Sequence, residues 1–178
     1  MPYAVVLYLD SQRYQPIYGV IRELAEKGIA PYMYKEGIVP HITLVIYDDL
    51  RCERCKERLK IIAKRMQSLE LNFSHIGVFI TKEPAVFLAP TVTSQLLNLH
   101  LEVYETLEKN GIHPWELYLP GKWVPHCTLA LEIPSVKIPK AAEIAQKLIL
   151  PIKLKAKFLG VIKFMPVVNL FKFKLRNN

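Results

Sequence analysis

The sequence predicts a mixed α and β fold made of two similar lobes. Strand and helix patterns alternate as strand, helix, strand, helix, strand, and the same order then repeats. The hexapeptides "VPHITL" (residues 39–44) and "VPHCTL" (residues 124–129) stand at matching points of the two halves, 85 positions apart. A chain of 178 residues is within the usual size of one domain. We therefore expect a single domain, 1–178, with repeated halves of roughly 1–84 and 85–178.

The first half reads as three strands separated by two helices. The apolar run "YAVVLYL" predicts a buried strand, and Asp10-Ser11 after it predicts a helix cap. The helix that follows has apolar residues at helical spacing and ends at Gly28. The strand "GIVPHITLVIY", an amphipathic helix over residues 51–69 and the strand "LNFSHIGVFI" complete the half.

The second half repeats this order. The strand "AVFLAPTV" precedes a helix capped at Thr93-Ser94 that ends near Asn110-Gly111, and the second His strand follows. Pro139 opens a short helix that Pro151 closes, and the remaining residues read as two or three strands. "IGVF" (76–79) and "LGVI" (159–162) are 83 positions apart, as are the starts of the helices after Ser11 and Ser94. Such agreement predicts two lobes related by a pseudo-dyad.

Charge, hydropathy and cysteine content limit the expected binding partners and the expected cellular compartment. The net charge of +8 and the pI near 9.4 favour anionic partners, such as nucleic acid or phosphorylated small molecules. No apolar run is long enough for a membrane span, and the N-terminal sequence lacks the features of a signal peptide. Three cysteines, an odd number, indicate reduced thiols. We expect a cytoplasmic protein, without membrane association and without an obligate protein partner, and therefore a monomer.

The two hexapeptides place the same polar groups on one face of a strand. Because side chains alternate along a strand, His41 and Thr43 point to one side, and His126 and Thr128 do the same in the second copy. The residue between each pair points to the core, so Ile in one copy can be Cys in the other. A dyad would bring two imidazoles and two hydroxyls into one cleft.

This set of groups suits phosphodiester chemistry. Hydrolysis of a cyclic phosphodiester needs a base for the attacking water, an acid for the leaving alkoxide, and donors to the phosphate oxygens. Histidine has an unperturbed pKa near neutrality, so a pair can supply base and acid together, without a metal or other cofactor. A metal site with two His ligands is the alternative, but no Asp or Glu stands beside either motif.

Other polar residues have simpler interpretations. Cys52-x-x-Cys55 could begin a zinc or redox site, but no second pair follows, and both thiols lie on the apolar stripe of their helix, which favours core packing. The remaining histidines lack a repeated context and are expected to be structural or on the surface: His75, His100 and His113.

Lys122 and Trp123 precede the second motif directly. A cation and an aromatic ring suit a phosphate and a base respectively, so both are candidates for substrate binding beside the cleft, while Trp123 could equally pack in the core.

The paired "HITL" and "HCTL", each preceded by Pro, resemble the motifs of the two-histidine (2H) phosphoesterase superfamily, which includes 2'-5' RNA ligase-like proteins and RNA cyclic phosphodiesterases. The resemblance spans nearly the whole chain. It implies an α+β bilobal fold with two mainly antiparallel sheets around a central cleft and helices on the outer faces. It also implies His41 and His126 as the acid/base pair, and Thr43 and Thr128 as hydroxyls that orient the phosphate.

By this resemblance the protein is expected to be a metal-independent phosphodiesterase acting on 2',3'-cyclic phosphate or related RNA or nucleotide ends, with 2'-5' ligation as the reverse reaction. Relatives often have Phe-Leu-Gly after the first motif, where this chain has "VIY" (45–47), so the substrate stays open. The alternative is a noncatalytic RNA-binding or nucleotide-binding protein that uses the same cleft.

Overall fold

The computed structural model describes residues 2–50, 52–109, 113–164 and 166–177, and only the backbone of Cys52. Strands and helices alternate along these ranges, with short 3-10 turns at Glu116–Tyr118 and Ser135–Lys137. The elements are β1 (Tyr3–Leu9), α1 (Gln15–Glu26), α2 (Tyr32–Lys35), β2 (His41–Tyr47), α3 (Cys52–Arg65), β3 (Leu69–Phe79), β4 (Ala85–Pro90), α4 (Ser94–Glu108), β5 (Cys127–Ala130), α5 (Ile138–Ala145), β6 (Ile152–Lys163) and β7 (Val168–Lys174). The α+β class is confirmed.

The strands form one antiparallel sheet in the order β2-β1-β6-β3-β4-β5, and β7 also pairs with β6. Two sheets were expected, and the long strands β3 and β6 join them. The first residues of β6 pair with β3, and the later ones pair with β1. We call β2, β1, the later part of β6 and β7 the His41 wing. The His126 wing is β5, β4 and the later part of β3.

The strand order reads the same from either edge when each strand is exchanged for its counterpart in the other half. The counterparts are β1 and β4, β2 and β5, and β3 and β6. β7 has no counterpart among the described strands. The tight connection between β3 and β4, at residues 80–84, coincides with the expected boundary near residue 84. The duplication of one domain stays a prediction, which this symmetry supports.

The helices pack against one face of the sheet. Leu7 and Leu9 of β1 point to this face and join the main core with α1, α3, α4 and α5. Val6 and Tyr8 point the other way, into a small cluster that contains no residue of α1 to α5. The helices therefore leave one face of the His41 wing uncovered. None of the helices in the described ranges combines the length and apolar composition that a membrane span requires.

Most predicted helix ends match the structure. The Thr93 side chain accepts a hydrogen bond from the Leu96 amide at 3.2 Å, which caps α4 as expected. Gly28 follows α1 with a φ of +63°, a conformation that favours glycine. The expected end of α4 at Asn110-Gly111 lies outside the described residues.

Two helix boundaries were predicted wrongly, and the short helix α2 was not predicted. Helix α1 begins at Gln15, because Asp10 instead organises a turn: its backbone carbonyl accepts from the amides of Arg13 and Tyr14. Helix α3 ends at Arg65. It was predicted to continue to Leu69, because Leu69 fits the apolar stripe of the helix, but Leu69 is a buried residue of β3.

Candidate functional site

The first motif lies at the start of β2. Ile42 and Leu44 are fully buried in the main core, whereas His41 and Thr43 are half-buried and point to the other face. The register with β1 shifts after Thr43, so Leu44 has no partner and forms a β-bulge. The alternation inferred from the sequence is therefore confirmed up to this bulge.

The second motif repeats this arrangement on β5. Cys127 and Leu129 are fully buried, and His126 and Thr128 are half-buried. Thr128 pairs with Phe87 of β4, and the register then shifts so that Leu129 is left without a partner. Both motifs thus end in a bulge directly after the threonine, a regularity that local sequence patterns do not reveal.

Both imidazoles are fixed by the same hydrogen bond. His41 Nδ1 lies 2.8 Å from the carbonyl oxygen of Val39, and His126 Nδ1 lies 2.7 Å from that of Val124. A carbonyl oxygen only accepts, so Nδ1 carries the proton in each ring. In the neutral form the lone pair is therefore on Nε2, the nitrogen that can take a proton from a substrate or water.

The two motifs are in contact although β2 and β5 are at opposite ends of the strand order. The Trp123 indole N–H donates to the carbonyl oxygen of Thr43 at 3.0 Å, and the His41 backbone amide donates to the Cys127 sulfur. These hydrogen bonds connect the two terminal strands of the sheet. The wings therefore fold toward each other until their histidine strands meet.

Burial sets the protonation of both histidines. It lowers the pKa of His41 below its ordinary value, partly offset by the Val39 carbonyl, and a positive charge on His126 lowers it further. Burial likewise lowers the pKa of His126, partly offset by the Val124 carbonyl. Both imidazoles are consequently neutral at pH 7 in the free protein. A positive charge on His126 therefore disfavours a second charge on His41.

Aromatic side chains that were not predicted as site residues pack against both imidazoles. The Tyr8 ring lies 6.5 Å from that of His41, centroid to centroid. The rings of Phe79 and Phe87 lie 5.0 and 5.3 Å from that of His126 and stack on each other. β1, β4 and the end of β3 around Phe79 are apolar on both faces, so alternation could not single these residues out.

Two glycines make room for these rings. A Cβ on Gly77 would stand 2.3 Å from Phe87 Cζ, and a Cβ on Gly160 would stand 2.7 Å from Tyr8 Cε2. These are the glycines of "IGVF" and "LGVI", whose 83-residue separation marked the repeat. That signal identified equivalent positions but not the aromatic ring that each glycine accommodates.

The two residues before the second motif have different environments. Trp123 is 8 % exposed, and its ring stacks on His100 with centroids 4.1 Å apart. Its indole N–H donates to the Thr43 carbonyl oxygen, so its contacts are those of a side chain that packs in the core. Lys122 is exposed and forms an ion pair with Glu116. A role of Lys122 and Trp123 in substrate binding stays a prediction.

The other histidines and the cysteines have different environments. His100 is buried, and its Nε2 lies 3.0 Å from the Tyr118 carbonyl oxygen, which fits the structural role expected of it. His75 and His113 are exposed. Cys55 packs in the core as predicted, whereas the Cys52 side chain lies outside the described residues. Within the described ranges, no group of three or more His, Cys, Asp or Glu side chains is arranged to hold a metal ion.

Comparison with known families identifies the chain's relatives. The sequence model of the 2'-5' RNA ligase superfamily matches residues 11–164. Comparison with curated protein sequences gives no match.

Several solved structures share the fold at low sequence identity. TT0787 of Thermus thermophilus has 15% identity and a TM-score of 0.65, with 100% of both chains covered. LigT of E. coli complexed with 3'-AMP has 15% identity and a TM-score of 0.63, covering 98% of this chain and 99% of LigT. Usb1 of Kluyveromyces marxianus has 13% identity and a TM-score of 0.53, covering 95% and 97%. With the family match over most of its length, the chain belongs to the 2'-5' RNA ligase superfamily, within the two-histidine (2H) phosphoesterases.

Proposed function

We propose that the protein is a metal-independent phosphodiesterase that opens 2',3'-cyclic phosphate ends of RNA or of related nucleotides. His41 and His126 act as the acid/base pair, and Thr43 and Thr128 donate hydrogen bonds to the phosphate oxygens. The observation that carries this proposal is the matched environment of the two imidazoles. Each has Nδ1 bound to a backbone carbonyl, Nε2 available, and a neighbouring threonine hydroxyl on the same face.

The chemistry follows from this arrangement. One Nε2 takes a proton from a water whose oxygen forms a bond to phosphorus. The bond to one ribose oxygen breaks, and the protonated Nε2 of the other histidine gives its proton to that oxygen. Both histidines are neutral in the free protein, and an anionic phosphodiester favours protonation of the one that becomes the acid. The same two groups with exchanged roles would support the reverse ligation.

The test is turnover of nucleoside 2',3'-cyclic phosphates and of RNA with cyclic ends. We expect His41→Ala and His126→Ala each to lower kcat/KM by about 10²- to 10⁴-fold, the range typical of general acid or base removal. His113→Ala removes an exposed histidine of the connection between α4 and β5 and is the matched control, expected to keep full activity. Circular dichroism and thermal unfolding of each variant exclude loss of the fold as the cause.

Two outcomes would contradict the proposal. Wild-type protein that binds these substrates without converting them would favour the noncatalytic nucleotide-binding alternative. Loss of wild-type activity with a chelator, restored by a divalent metal ion, would show that the histidine pair is not sufficient.

A further inference from the structure

Strand β7 adds polar side chains to the uncovered face of the His41 wing alone. Lys172 pairs with Gly160 of β6, and its side chain lies over the rings of Tyr8 and Phe158. Asn169 of the same strand accepts a hydrogen bond from the Tyr8 hydroxyl at 2.5 Å. Since β7 has no counterpart among the described strands of the other half, nothing equivalent surrounds His126.

Among the described residues, no carboxylate forms an ion pair with the Lys172 ammonium. Its Nζ is 4.7 Å from the Tyr8 ring centroid and 4.1 Å from that of Phe158. Among the ion pairs of the described residues, none includes Lys172. Partial desolvation against these rings lowers the pKa of the ammonium. A cation held over aromatic rings, with no carboxylate beside it, can accept an anion from outside.

Asn169 contributes further donors beside this cation. Its Oδ1 accepts from Tyr8, so its amide N–H groups point elsewhere, and no hydrogen bond of the described residues uses them. Asn169 also lines a concavity that includes Tyr8 and His41. A molecule in this concavity can therefore contact His41 at one side and Asn169 at the other.

The Tyr8 ring separates this group from the reacting histidines. Tyr8 pairs with His41 across β1 and β2, with its ring on one side near His41 and on the other near Lys172. Gly160 permits this placement, because a side chain there would clash with the ring. Lys172 and His41 thus both contact the Tyr8 ring, from strands on either side of β1, and Asn169 lies beside the same ring.

We propose that Lys172 and Asn169, supported by the Tyr8 ring, form a second anion subsite that binds the phosphate preceding the cyclic end of an RNA strand. This inference rests on the proposed function, and names a polynucleotide end rather than a free nucleoside cyclic phosphate as the preferred substrate. The RNA then lies on the His41 wing, where β7 provides the cation. Binding through a phosphate carries no base preference.

The experiment compares two substrates that differ by one nucleotide, which includes the phosphate before the cyclic end. The first is a nucleoside 2',3'-cyclic phosphate with a free 5' hydroxyl, and the second is a dinucleotide with the same cyclic end. We expect wild-type protein to favour the dinucleotide through a lower KM. Lys172→Met keeps the aliphatic stem, and is expected to lower kcat/KM for the dinucleotide about tenfold, the usual scale of one charge-assisted hydrogen bond. It should leave the nucleoside substrate unchanged.

Two further variants make the result specific. Lys172→Arg retains the charge and should retain the preference for the dinucleotide. Lys64→Met removes an exposed lysine of α3, in the helix layer, and should alter neither substrate. Equal losses on both substrates in Lys172→Met, or no loss on the dinucleotide, would overturn the proposal.

A binding measurement separates this inference from the proposed function. If wild-type protein converts neither substrate, the proposed function fails, and fluorescence anisotropy with a short oligonucleotide carrying a 3'-phosphate becomes the test. Weaker binding by Lys172→Met, with a salt dependence shallower by about one phosphate contact, would support the subsite. Binding equal to that of the wild type would overturn it.

Discussion

The two wings hold their histidines in the same way and surround them differently. In both, Nδ1 is bound to the carbonyl two residues earlier, and a bulge follows the threonine. The aromatic neighbours differ: Tyr8 pairs with His41, whereas Phe87 pairs with Thr128. Strand β7 extends only the His41 wing.

The difference separates two requirements of the proposed reaction. In-line displacement at phosphorus needs similar groups on both sides, and these are the features that the two wings share. The substrate itself is asymmetric, because a nucleoside lies on one side of the phosphorus and the attacking water on the other. The features that differ between the two wings can therefore determine the orientation of the substrate. The shared part of the site corresponds to chemistry, and the unshared part to substrate placement.

The largest expected effect tests whether the shared parts act as one unit. His41→Ala and His126→Ala should each lower kcat/KM by about 10²- to 10⁴-fold, and the double variant should be little worse than either single one, because groups that act together are not additive. Steady-state kinetics on one cyclic nucleotide measures this. If the loss of kcat/KM in the double variant equals the product of the two single losses, the two histidines contribute independently. The two wings would then not act as one catalytic unit.

The pH dependence of the reaction is the next test. The base must be neutral, so activity falls as the pH drops below its pKa. The acid must be protonated, so activity falls as the pH rises above its pKa. Both pKa values lie below the ordinary histidine value of about 6.5, so kcat/KM should peak below that pH and decline about tenfold per pH unit above it. An optimum well above pH 7 would contradict the assignment.

NMR titration tests whether the histidines of the two wings interact. The charge of His126 lowers the pKa of His41, so in His126→Asn the pKa of His41 should rise toward its ordinary value. His113→Asn removes an exposed histidine outside both motifs and is the control. An unchanged His41 pKa in His126→Asn would mean that the two imidazoles do not interact.

Sequence reasoning identified the repeated motifs, and its success depended on strand alternation. Two residue types at fixed spacing in a strand determine which side chains share a face, so His41 and Thr43 could be separated from Ile42 without a structure. The bulge after each threonine could not be predicted, because it arises from register with the neighbouring strand. The repeat of "IGVF" and "LGVI" located Gly77 and Gly160, but the rings above them come from other strands.

Proximity to a motif in the sequence does not determine the contacts that a residue makes. Lys122 and Trp123 are adjacent to His126 in the chain, yet one is paired to Glu116 and the other is buried against His100. Lys172 is 46 positions away from His126, and sequence patterns place it only in a tail of strands. Strand pairing from β7 through β6 to β1 brings it to the first motif instead.

Substitution of the two repeat glycines should distinguish the wings by stability. In Gly160→Ala the new Cβ would meet the backbone oxygen of Phe171 at 2.6 Å, which can move only with the strand. In Gly77→Ala the close atoms belong to the Phe87 ring, which can shift. We expect losses of about 2 to 3 kcal/mol for Gly160→Ala and about 1 to 2 kcal/mol for Gly77→Ala, within the range of overpacking. Urea unfolding measures both, and the reverse order would show that β7 adapts more easily than the ring.

The smallest expected effect concerns the Tyr8 hydroxyl. Burial raises the pKa of Tyr8 to about 12, so the hydroxyl stays protonated and donates to Asn169 throughout the working pH range. Tyr8→Phe removes this hydrogen bond and keeps the ring, at a cost of about 1 kcal/mol in the free energy of unfolding. Turnover of a nucleoside cyclic phosphate should change by less than about threefold, since the ring beside His41 remains. A loss of more than about 100-fold with an intact fold would instead make the hydroxyl a catalytic group. In that case the asymmetry between the wings would belong to the chemistry rather than to substrate placement.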